Sequence, residues 1–496
     1  MATASSKPTL TPSQPINKSA LPRTNSETSN YSGLLPTAIV GGHDLTSSLP
    51  VFSHDAKYVF CCCAHVIRVF VKATGAALHD LRGHTDVVTS VARHPKNRFQ
   101  IFSSSLDKTI ILWDFEDGLL LRRFFLDINV PILGLHIPDQ VADDSLRSAY
   151  ALVQTPSDFR SDYALLRGPW PGANDPTFAL DASVFSGDCP ADPHGLASGW
   201  EGQLVVAVNR FQLLAYDAKM GRMFKHRNKQ DKMISVSCNP RLPMVVVGCH
   251  NGKILVITDL LRKGPITRVV YHWHSLPVTA VAFTRQGTHF LSGGHECVLV
   301  RWNVEAAGDR QYMPRLGAAI RKIAVSPDND YYAASMSDNA VAVIASTRRT
   351  EVVFGGMVKC PFKRARDDGV VEASEELDVP SAVRLSCVPT GLHVDPRSGC
   401  LVLNGRLGHL QFHDLEQNRN LPSLDILELN FVSPDSLDGG QILAEVKLIA
   451  FDERGEWLVT VRKGRRGWGE RGSGAVFLGE VGVNFALVKC RIFINF

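Results

Sequence analysis

One stretch, residues 83–114, constrains the fold of this chain more than any other: GHTDVVTSVARHPKNRFQIFSSSLDKTIILWD. Three apolar runs of strand length lie in it, at 87–91, 99–102 and 109–113. They are rich in the β-branched and aromatic residues that favour strands. A polar turn at 106–108 separates the second run from the third. Short strands divided by polar turns predict one antiparallel sheet here.

The same stretch opens with Gly-His and closes with Trp-Asp, the signature of a WD repeat, which forms one blade of a β-propeller. In such a blade four side chains are hydrogen-bonded in a chain. The corresponding residues here are His84, Ser103, Asp107 and Trp113. An orphaned buried polar group costs about 1–3 kcal/mol, so buried polar residues are normally paired. We therefore expect these four residues to hold the blade together rather than to carry out chemistry.

A second copy of the pattern begins at residue 274 and reads HSLPVTAVAFTRQGTHFLSGGHECVLVRW. Ser292, Glu296 and Trp302 follow His274 by 18, 22 and 28 positions, against 19, 23 and 29 in the first stretch. Glu296 stands where the first copy has an aspartate, which leaves the hydrogen bond of this turn open. Self-similarity at fixed spacing predicts a repeat protein.

Weaker copies fill the rest of the first 355 residues. Turns recur near residues 64, 107, 160, 210, 251, 296 and 338. The clearest gaps are 43, 41, 45 and 42 residues, which match the period of about 40–45 residues for WD repeats. We predict an all-β fold, a seven-bladed WD-repeat β-propeller followed by an incomplete second propeller. A closed ring leaves only short strand edges unprotected.

The predicted domain organisation has five parts. They are a disordered tail at 1–33, a seven-bladed propeller at 34–355, a charged linker at 356–380, a partial second propeller at 381–461 and an atypical C-terminal tail at 462–496. The first tail is rich in Ser, Thr, Pro and Asn and buries too little apolar surface to become ordered. No blade signal follows residue 462, so we expect an incomplete second propeller and a truncated or alternative ending.

Composition excludes several classes of protein. A chain of 496 residues with 45% hydrophobic residues and a net charge of +4 is typical of soluble proteins too long for one compact core. No apolar run reaches the roughly 18 residues that a membrane span needs, and no signal peptide is recognisable. Cys61, Cys62 and Cys63 lie in an apolar strand, where successive side chains alternate. We expect them to be buried in a protein of a reducing compartment.

No motif for catalysis or for a cofactor stands out. The pattern G-x-G-x-x-G at 467–472 lacks the βαβ context of a dinucleotide site. His272 and His274 could share a strand face, but no third metal ligand lies nearby. We find no Ser-His-Asp arrangement, carboxylate pair or phosphate loop. The sequence predicts no catalytic residue, no cofactor, no metal and no small-molecule substrate.

Two basic clusters have two readings each. The first lies between the fourth and fifth blades, in an expected loop, and is either solvated charge or a contact for RNA phosphates. Its members are Lys225, His226, Arg227, Lys229 and Lys232. The second cluster lies in the linker and is either a nuclear-import patch or a soluble spacer. It consists of Lys363, Arg364 and Arg366.

Longer passages resemble a family of nucleolar WD-repeat proteins of the small-subunit processome, over roughly residues 37–461. They are YHWH at 271–274, LSGGHECVLVRW, MPRLGAAIRKIAVSPDND, SMSDNAVAVI and NGRLGHLQFHD. The resemblance implies a tandem-propeller scaffold in the transcription-associated subcomplex of the U-three small nucleolar ribonucleoprotein. That assembly supports pre-rRNA transcription by RNA polymerase I and processing of small-subunit rRNA.

The resemblance also implies a location and partners. The location is the nucleolus of the nucleus. The partners are other processome WD-repeat and helical-repeat proteins, with pre-rRNA or snoRNA as further candidates and no membrane. The fold alone also suits a substrate receptor of a ubiquitin ligase, a chromatin reader or a propeller enzyme, because one fold serves many functions.

Overall fold

The computed structural model describes residues 44–126, 130–138, 148–155, 162–169, 177–178, 182–186, 195–262, 266–306, 308–357, 392–405, 409–415, 419–421, 423–426, 445–463 and 483–489. These residues belong to one compact unit, 41–496. Their named elements are all β-strands, which confirms the predicted all-β class. Within these ranges no helix has the length and apolar character to cross a membrane.

The first four sheets follow one another along the chain. Sheet 1 holds β1 (Val51–Phe52), β2 (Tyr58–Cys63), β3 (Val66–Val71) and β4 (Ala77–Arg82). Sheet 2 holds β5 (Val88–Arg93), β6 (Gln100–Ser105), β7 (Thr109–Asp114) and β8 (Leu119–Leu126). Sheet 3 holds β9 (Ile132–His136), β10 (Ser148–Thr155), β11 (Asp162–Pro169) and β13 (Ala182–Ser186). The short strand β12 (Thr177–Phe178) pairs in parallel with the outer edge of β8. Sheet 4 holds β14 (Leu196–Gly199), β15 (Leu204–Asn209), β16 (Gln212–Asp217) and β17 (Arg222–Arg227).

Three further four-stranded sheets complete the region before residue 356. Sheet 5 holds β18 (Met233–Cys238), β19 (Val245–Cys249), β20 (Lys253–Thr258) and β21 (Thr267–His272). Sheet 6 holds β22 (Ala280–Phe283), β23 (His289–Gly293), β24 (Val300–Asn303) and β25 (Arg310–Tyr312). Sheet 7 holds β26 (Ile320–Val325), β27 (Tyr331–Met336), β28 (Ala340–Ala345) and β29 (Thr350–Gly355). Apart from the β12–β8 pair, neighbouring strands in sheets 1–7 pair antiparallel.

Two smaller sheets follow. Sheet 8 holds β30 (His393–Val394), β31 (Leu401–Asn404), β32 (His409–Asp414), β33 (Arg419–Asn420) and β34 (Leu424–Asp425). Sheet 9 holds β35 (Glu445–Phe451), β36 (Trp457–Lys463) and β37 (Val483–Lys489). They share one apolar core that includes Val402, Phe412 and Leu458.

Sheets 1–7 pack in a circle. Each sheet shares an apolar core with the next, and sheet 7 shares one with sheet 1, where Phe70 stacks on Phe354 with ring centroids 4.2 Å apart. The middle strands of these sheets therefore bury both faces, which explains runs such as Leu204–Asn209 with little polar alternation. Full burial of one large aliphatic or aromatic side chain contributes about 1.5–3 kcal/mol.

Polar contacts also join the start of the described chain to sheet 7. The Leu45 amide donates to Asn339 Oδ1 at 2.6 Å. The buried Lys322 ammonium donates to the Ser47 carbonyl oxygen. Residues 44–52 therefore fasten sheet 1 to sheet 7 at the point where the circle closes.

The predicted turns have a common backbone feature. One residue with a positive φ lies at or next to each described turn between the second and third strands of a sheet. These residues are Ala64, Lys108, Arg210, Gly252, Cys297 and Asn339, with φ of 53°, 68°, 51°, 80°, 62° and 60°. The turn predicted near residue 160 lies in 156–161, outside the described residues.

The C-terminal region differs from the expectation. The sequence showed no blade signal after residue 462, but Val483–Lys489 forms a strand that pairs antiparallel with β36. The segment VNFALVK is apolar enough to form a strand. It lacks the Gly-His, turn and Trp-Asp residues of a WD repeat, so the sequence did not indicate that it pairs with β36. The tail at 1–33, residues 358–380 of the linker predicted at 356–380 and the segment SAVRLSCVP lie outside the described residues.

Candidate functional site

The four residues singled out in 83–114 form one hydrogen-bonded chain in sheet 2. His84 Nδ1 lies 2.8 Å from Asp107 Oδ2, and His84 Nε2 lies 2.7 Å from Ser103 Oγ. The indole Nε1–H of Trp113 donates to the same Ser103 oxygen at 2.8 Å. A neutral imidazole protonated on Nδ1 satisfies all three bonds, because Nε2 then accepts the serine hydroxyl proton. This network of hydrogen bonds joins the loop that leads into β5, which we call the entry loop, to the 106–108 turn and to strands β6 and β7.

The network is buried. The side chains of His84 and Asp107 are 1% and 4% exposed, and Trp113 and Ser103 are similarly buried. Burial lowers the pKa of His84, and the hydrogen bond to Asp107 opposes that shift only in part. Burial would raise the pKa of Asp107, but hydrogen bonds from Thr109, His84 and the Thr85 amide together hold it below its usual value. Histidine is therefore favoured in its neutral form and aspartate in its charged form.

Within the hydrogen-bonded network that the spacing predicted, Ser103, His84 and Asp107 have the connectivity of a catalytic triad. A nucleophile needs a path to substrate and donors placed for a developing oxyanion. Ser103 is fully buried, and its oxygen already accepts the Trp113 indole proton. The arrangement holds the sheet together.

The second copy repeats the geometry in sheet 6. His274 Nε2 lies 2.8 Å from Ser292 Oγ, which accepts from Trp302 Nε1 at 2.8 Å. His274 Nδ1 lies 3.1 Å from Glu296 Oε2, and the other Glu296 oxygen accepts the Leu276 amide proton at 2.6 Å. The hydrogen bond that the Asp-to-Glu difference left open is therefore present. Because the glutamate side chain is longer than that of aspartate, its two oxygens reach both His274 and the Leu276 amide.

Sheet 5 uses a different set of residues, which the sequence reasoning missed. Asp231 occupies the entry position, is 5% exposed, and accepts from Asn251 Nδ2 at 2.7 Å and Lys253 Nζ at 3.1 Å. These hydrogen bonds and the lysine charge outweigh burial and lower the pKa of Asp231. The available signal was an aspartate 20 positions before the Asn251-Gly252 turn. The arrangement is the reverse of that in sheet 2. In sheet 5 the carboxylate lies in the loop before the first strand, whereas in sheet 2 it lies in the turn between the second and third strands.

The structure corrects the placement of the basic cluster. Lys225 and Arg227 were predicted in a loop, but they lie on β17, the outer strand of sheet 4, paired opposite Leu214 and Gln212. Alternation across the strand puts both on one side, and both are exposed. Lys229 and Lys232 are exposed in the connection that follows. A half-buried outer strand tolerates exposed charge, so its polar sequence resembled a loop.

The remaining candidate residues are dispersed. His272 is exposed at the end of β21, whereas His274 is buried in its network. Among the described residues no group of three or more His, Cys, Asp and Glu side chains could hold a metal ion. The pattern at 467–472 and the residues Lys363, Arg364 and Arg366 lie outside the described residues.

The three adjacent cysteines alternate across β2. Cys61 and Cys63 pack toward sheet 7, while Cys62 packs toward sheet 2. Burial raises the pKa of Cys61, and it raises the pKa of the Cys62 thiol to about 11. None of these three cysteines forms a disulfide bond. Their side chains fill the core and diverge, so they form no common site.

Comparison with known proteins agrees with this architecture. The family model described as WD repeat-containing protein 75 first beta-propeller matches residues 51–339. The model described as WD repeat-containing protein 75 second beta-propeller matches residues 392–471. These matches confirm the predicted propeller fold.

Individual relatives are similar over most of the chain. WD repeat-containing protein 75 of Xenopus laevis is 34% identical over 430 residues, covering 85% of this chain and 47% of the relative. The mouse protein of that name is 32% identical over 438 residues, covering 85% and 48%. U3 small nucleolar RNA-associated protein 17 of Schizosaccharomyces pombe is 26% identical over 438 residues, covering 82% and 52%.

The chain thus spans about half the length of the curated relatives it matches. The family match covers the region that contains both complete His-Ser-Trp networks. The resemblance seen in the sequence is confirmed, and the chain belongs to the WD repeat-containing protein 75 family.

Proposed function

We propose that this chain is a non-catalytic scaffold in ribosome biogenesis, as a component of the small-subunit processome. One observation carries the proposal. His84, Ser103 and Asp107, which have the connectivity of a catalytic triad, are buried and hydrogen-bonded within their sheet, so they are not available to a substrate. What remains for function is an outer surface of loops and strand edges, which suits docking. The name of the fission yeast relative associates that protein with U3 small nucleolar RNA.

The finer role is support of pre-rRNA transcription by RNA polymerase I and of small-subunit rRNA processing, in the nucleolus. The partners are other processome WD-repeat and helical-repeat proteins. The domain organisation proposed for this role is a propeller at 34–355, a linker at 356–380 and a second, partial propeller at 381–461. The two family matches support a division between residues 339 and 392.

The exposed basic residues give this scaffold a contact for RNA. Lys225 and Arg227 share one side of β17, and Lys229 and Lys232 continue the positive charge into the next connection. Clustered Lys and Arg contact phosphates independently of sequence, by releasing counterions. In the linker, Lys363, Arg364 and Arg366 serve as the nuclear-import patch.

The test is depletion and rescue of the tagged full-length chain. We expect nucleolar staining, co-purification with U3 small nucleolar RNA and loss of mature small-subunit rRNA on depletion. The control Ser103→Ala, which removes the hydroxyl, should rescue as long as circular dichroism shows that the variant is folded, since no reaction depends on that hydroxyl. Co-purification with cullin adaptors together with a normal rRNA profile would overturn the proposal in favour of a ubiquitin-ligase receptor.

A further inference from the structure

One surface of sheets 4–6 combines positive charge with exposed aromatic rings. We call it the loop face, and it consists of the segments 209–211, 227–232, 250–252, 272–279, 294–298 and 312–319. Backbone hydrogen bonds connect these segments. The Asn228 amide donates to the Phe211 carbonyl at 2.8 Å, and the His250 amide donates to the Lys232 carbonyl at 2.9 Å. The Leu316 amide donates to the Cys297 carbonyl at 2.8 Å.

Sheets 5 and 6 are joined at the same face. The Val278 amide donates to the Cys249 carbonyl at 3.1 Å, and a Cβ at Gly252 would lie 2.1 Å from the His274 carbonyl oxygen. The close approach, with a φ of +80°, requires glycine at residue 252. The loop face is therefore continuous across three sheets.

The charge on this face is one-sided. Its two carboxylates are both engaged in networks, Asp231 with Asn251 and Lys253, and Glu296 with His274 and the Leu276 amide. Its exposed Lys and Arg residues are Arg210, Arg227, Lys229, Lys232 and Arg315. The turns at the opposite ends of the same strands carry exposed carboxylates as well as exposed Lys and Arg side chains. These carboxylates are Glu201, Glu305 and Asp309. An anionic polymer would therefore favour the loop face.

Aromatic side chains interrupt the positive charge. Phe211 is 41% exposed and lies next to Arg210 and the basic end of β17. Tyr312 is 40% exposed, and its ring lies 5.0 Å from that of the half-buried Trp273, with the planes at 48°. Rings held by neighbouring side chains or backbone bonds can stack on unpaired bases with little further ordering. A base-paired duplex would present no free base faces to them.

We propose that the loop face of sheets 4–6 binds a single-stranded polynucleotide. Arg227, Lys229 and Lys232 contact its phosphates, and Phe211 and the Trp273–Tyr312 pair stack on its bases. The inference rests on the proposed function for its choice of RNA, and adds to it the stacking residues, the face and the single-stranded form of the ligand.

The test measures binding of the full-length chain to labelled oligouridylate by fluorescence anisotropy. Phe211→Ala and Tyr312→Ala should each weaken binding by about five-fold or more, the lower end for one base–aromatic stack. Tyr312→Phe should bind as the unsubstituted chain does, because it keeps the ring. The matched control is Phe99→Ala. The Phe99 ring is also exposed beside an arginine, Arg98, but it lies in sheet 2 at the strand ends opposite to the 106–108 turn, away from the loop face. Circular dichroism of each variant establishes that it is folded.

Two results would overturn the inference: unchanged binding by both alanine variants, or tighter binding to duplex RNA than to oligouridylate. The proposed function has a separate readout. If the alanine variants bind normally while the chain still purifies with U3 small nucleolar RNA, the stacking face is wrong and the scaffold stands. If stacking is observed but no processome component co-purifies, the scaffold is wrong and the face stands.

Discussion

The indole nitrogen of Trp113 donates a hydrogen bond to the Ser103 hydroxyl at 2.8 Å, with both side chains buried. The same bond, at the same distance, joins Trp302 to Ser292 four sheets further along the chain. In each case the third strand of a sheet is fastened to the second by one side-chain pair. Because a one-residue slip would exchange the two faces of a strand, this pair fixes the register of the sheet.

Removal of the tryptophan should be severe. Trp113→Ala should lower the free energy of unfolding by about 3–5 kcal/mol, through a cavity and a lost hydrogen bond. Urea denaturation followed by circular dichroism measures the change. The control is Trp457→Ala, since Trp457 is 38% exposed. Equal effects of the two substitutions would show that Trp113 has no special structural role.

Closure of the ring should depend on Asn339. Its Oδ1 accepts the Leu45 amide proton at 2.6 Å, its Nδ2 donates to the Met357 carbonyl at 2.9 Å, and its φ is 60°. Asn339→Ala leaves buried groups unpaired and places an alanine in a left-handed conformation, so we expect a loss of about 2–4 kcal/mol. Thermal melting tests this, with the exposed Thr347→Ala as the control. A melting temperature equal to that of the control would contradict the assigned role.

Acidification should destabilise the ring through His84. Its folded-state pKa is lowered, chiefly by burial, so the unfolded chain takes up a proton first as the pH falls below about 6.5. Stability is therefore highest above that pH and declines as the pH falls toward the folded-state pKa. The lowered pKa of Asp107 adds a loss at lower pH, where the folded-state carboxylate is protonated.

The measurement is the melting temperature between pH 8 and pH 5, in the unsubstituted chain and in His84→Asn. The substitution should lower stability at every pH and make its pH dependence shallower. His94 and His289, whose pKa values burial also lowers, should leave some dependence in the variant. Identical pH profiles would exclude His84 as a contributor.

Charge reversal on sheet 4 should weaken RNA binding without unfolding. Lys225→Glu, Arg227→Glu and Lys229→Glu change exposed side chains, so the melting temperature should stay close to its original value. Each lost phosphate contact should reduce the slope of log affinity against log salt by about 1. Salt titrations of RNA binding measure this. The control is Arg349→Glu, because Arg349 is an exposed residue of sheet 7 in the turn between β28 and β29, away from the loop face. An equal effect of this substitution would indicate non-specific attraction.

Much of the ring could be predicted from the sequence because its determinants are local. The three strands expected in 83–114 are β5, β6 and β7, since each is a short apolar run bounded by polar turns. Fixed offsets between His84 and Trp113 also predict that four side chains meet in one hydrogen-bonded network. The repeat supplied what a single sheet could not, namely the expectation of a circle.

Other features have no local signature. The network of Asp231 joins a carboxylate, an amide and an ammonium. Its one sequence signal is the aspartate 20 positions before the Asn251-Gly252 turn, and no WD mark accompanies it. The parallel pairing of β12 with β8 joins residues about fifty positions apart, as Thr177 opposite Phe125 shows. Lys225 and Arg227 resembled a loop because an outer strand needs little apolar sequence.

The most direct test of the network is a double-mutant cycle on Ser103→Ala and Trp113→Phe, read by urea denaturation. If the two side chains act as one structural unit, their effects should be non-additive, with a coupling energy of about 0.5–3 kcal/mol. Effects that add to within about 0.3 kcal/mol would contradict the claim that this hydrogen bond holds the sheet together.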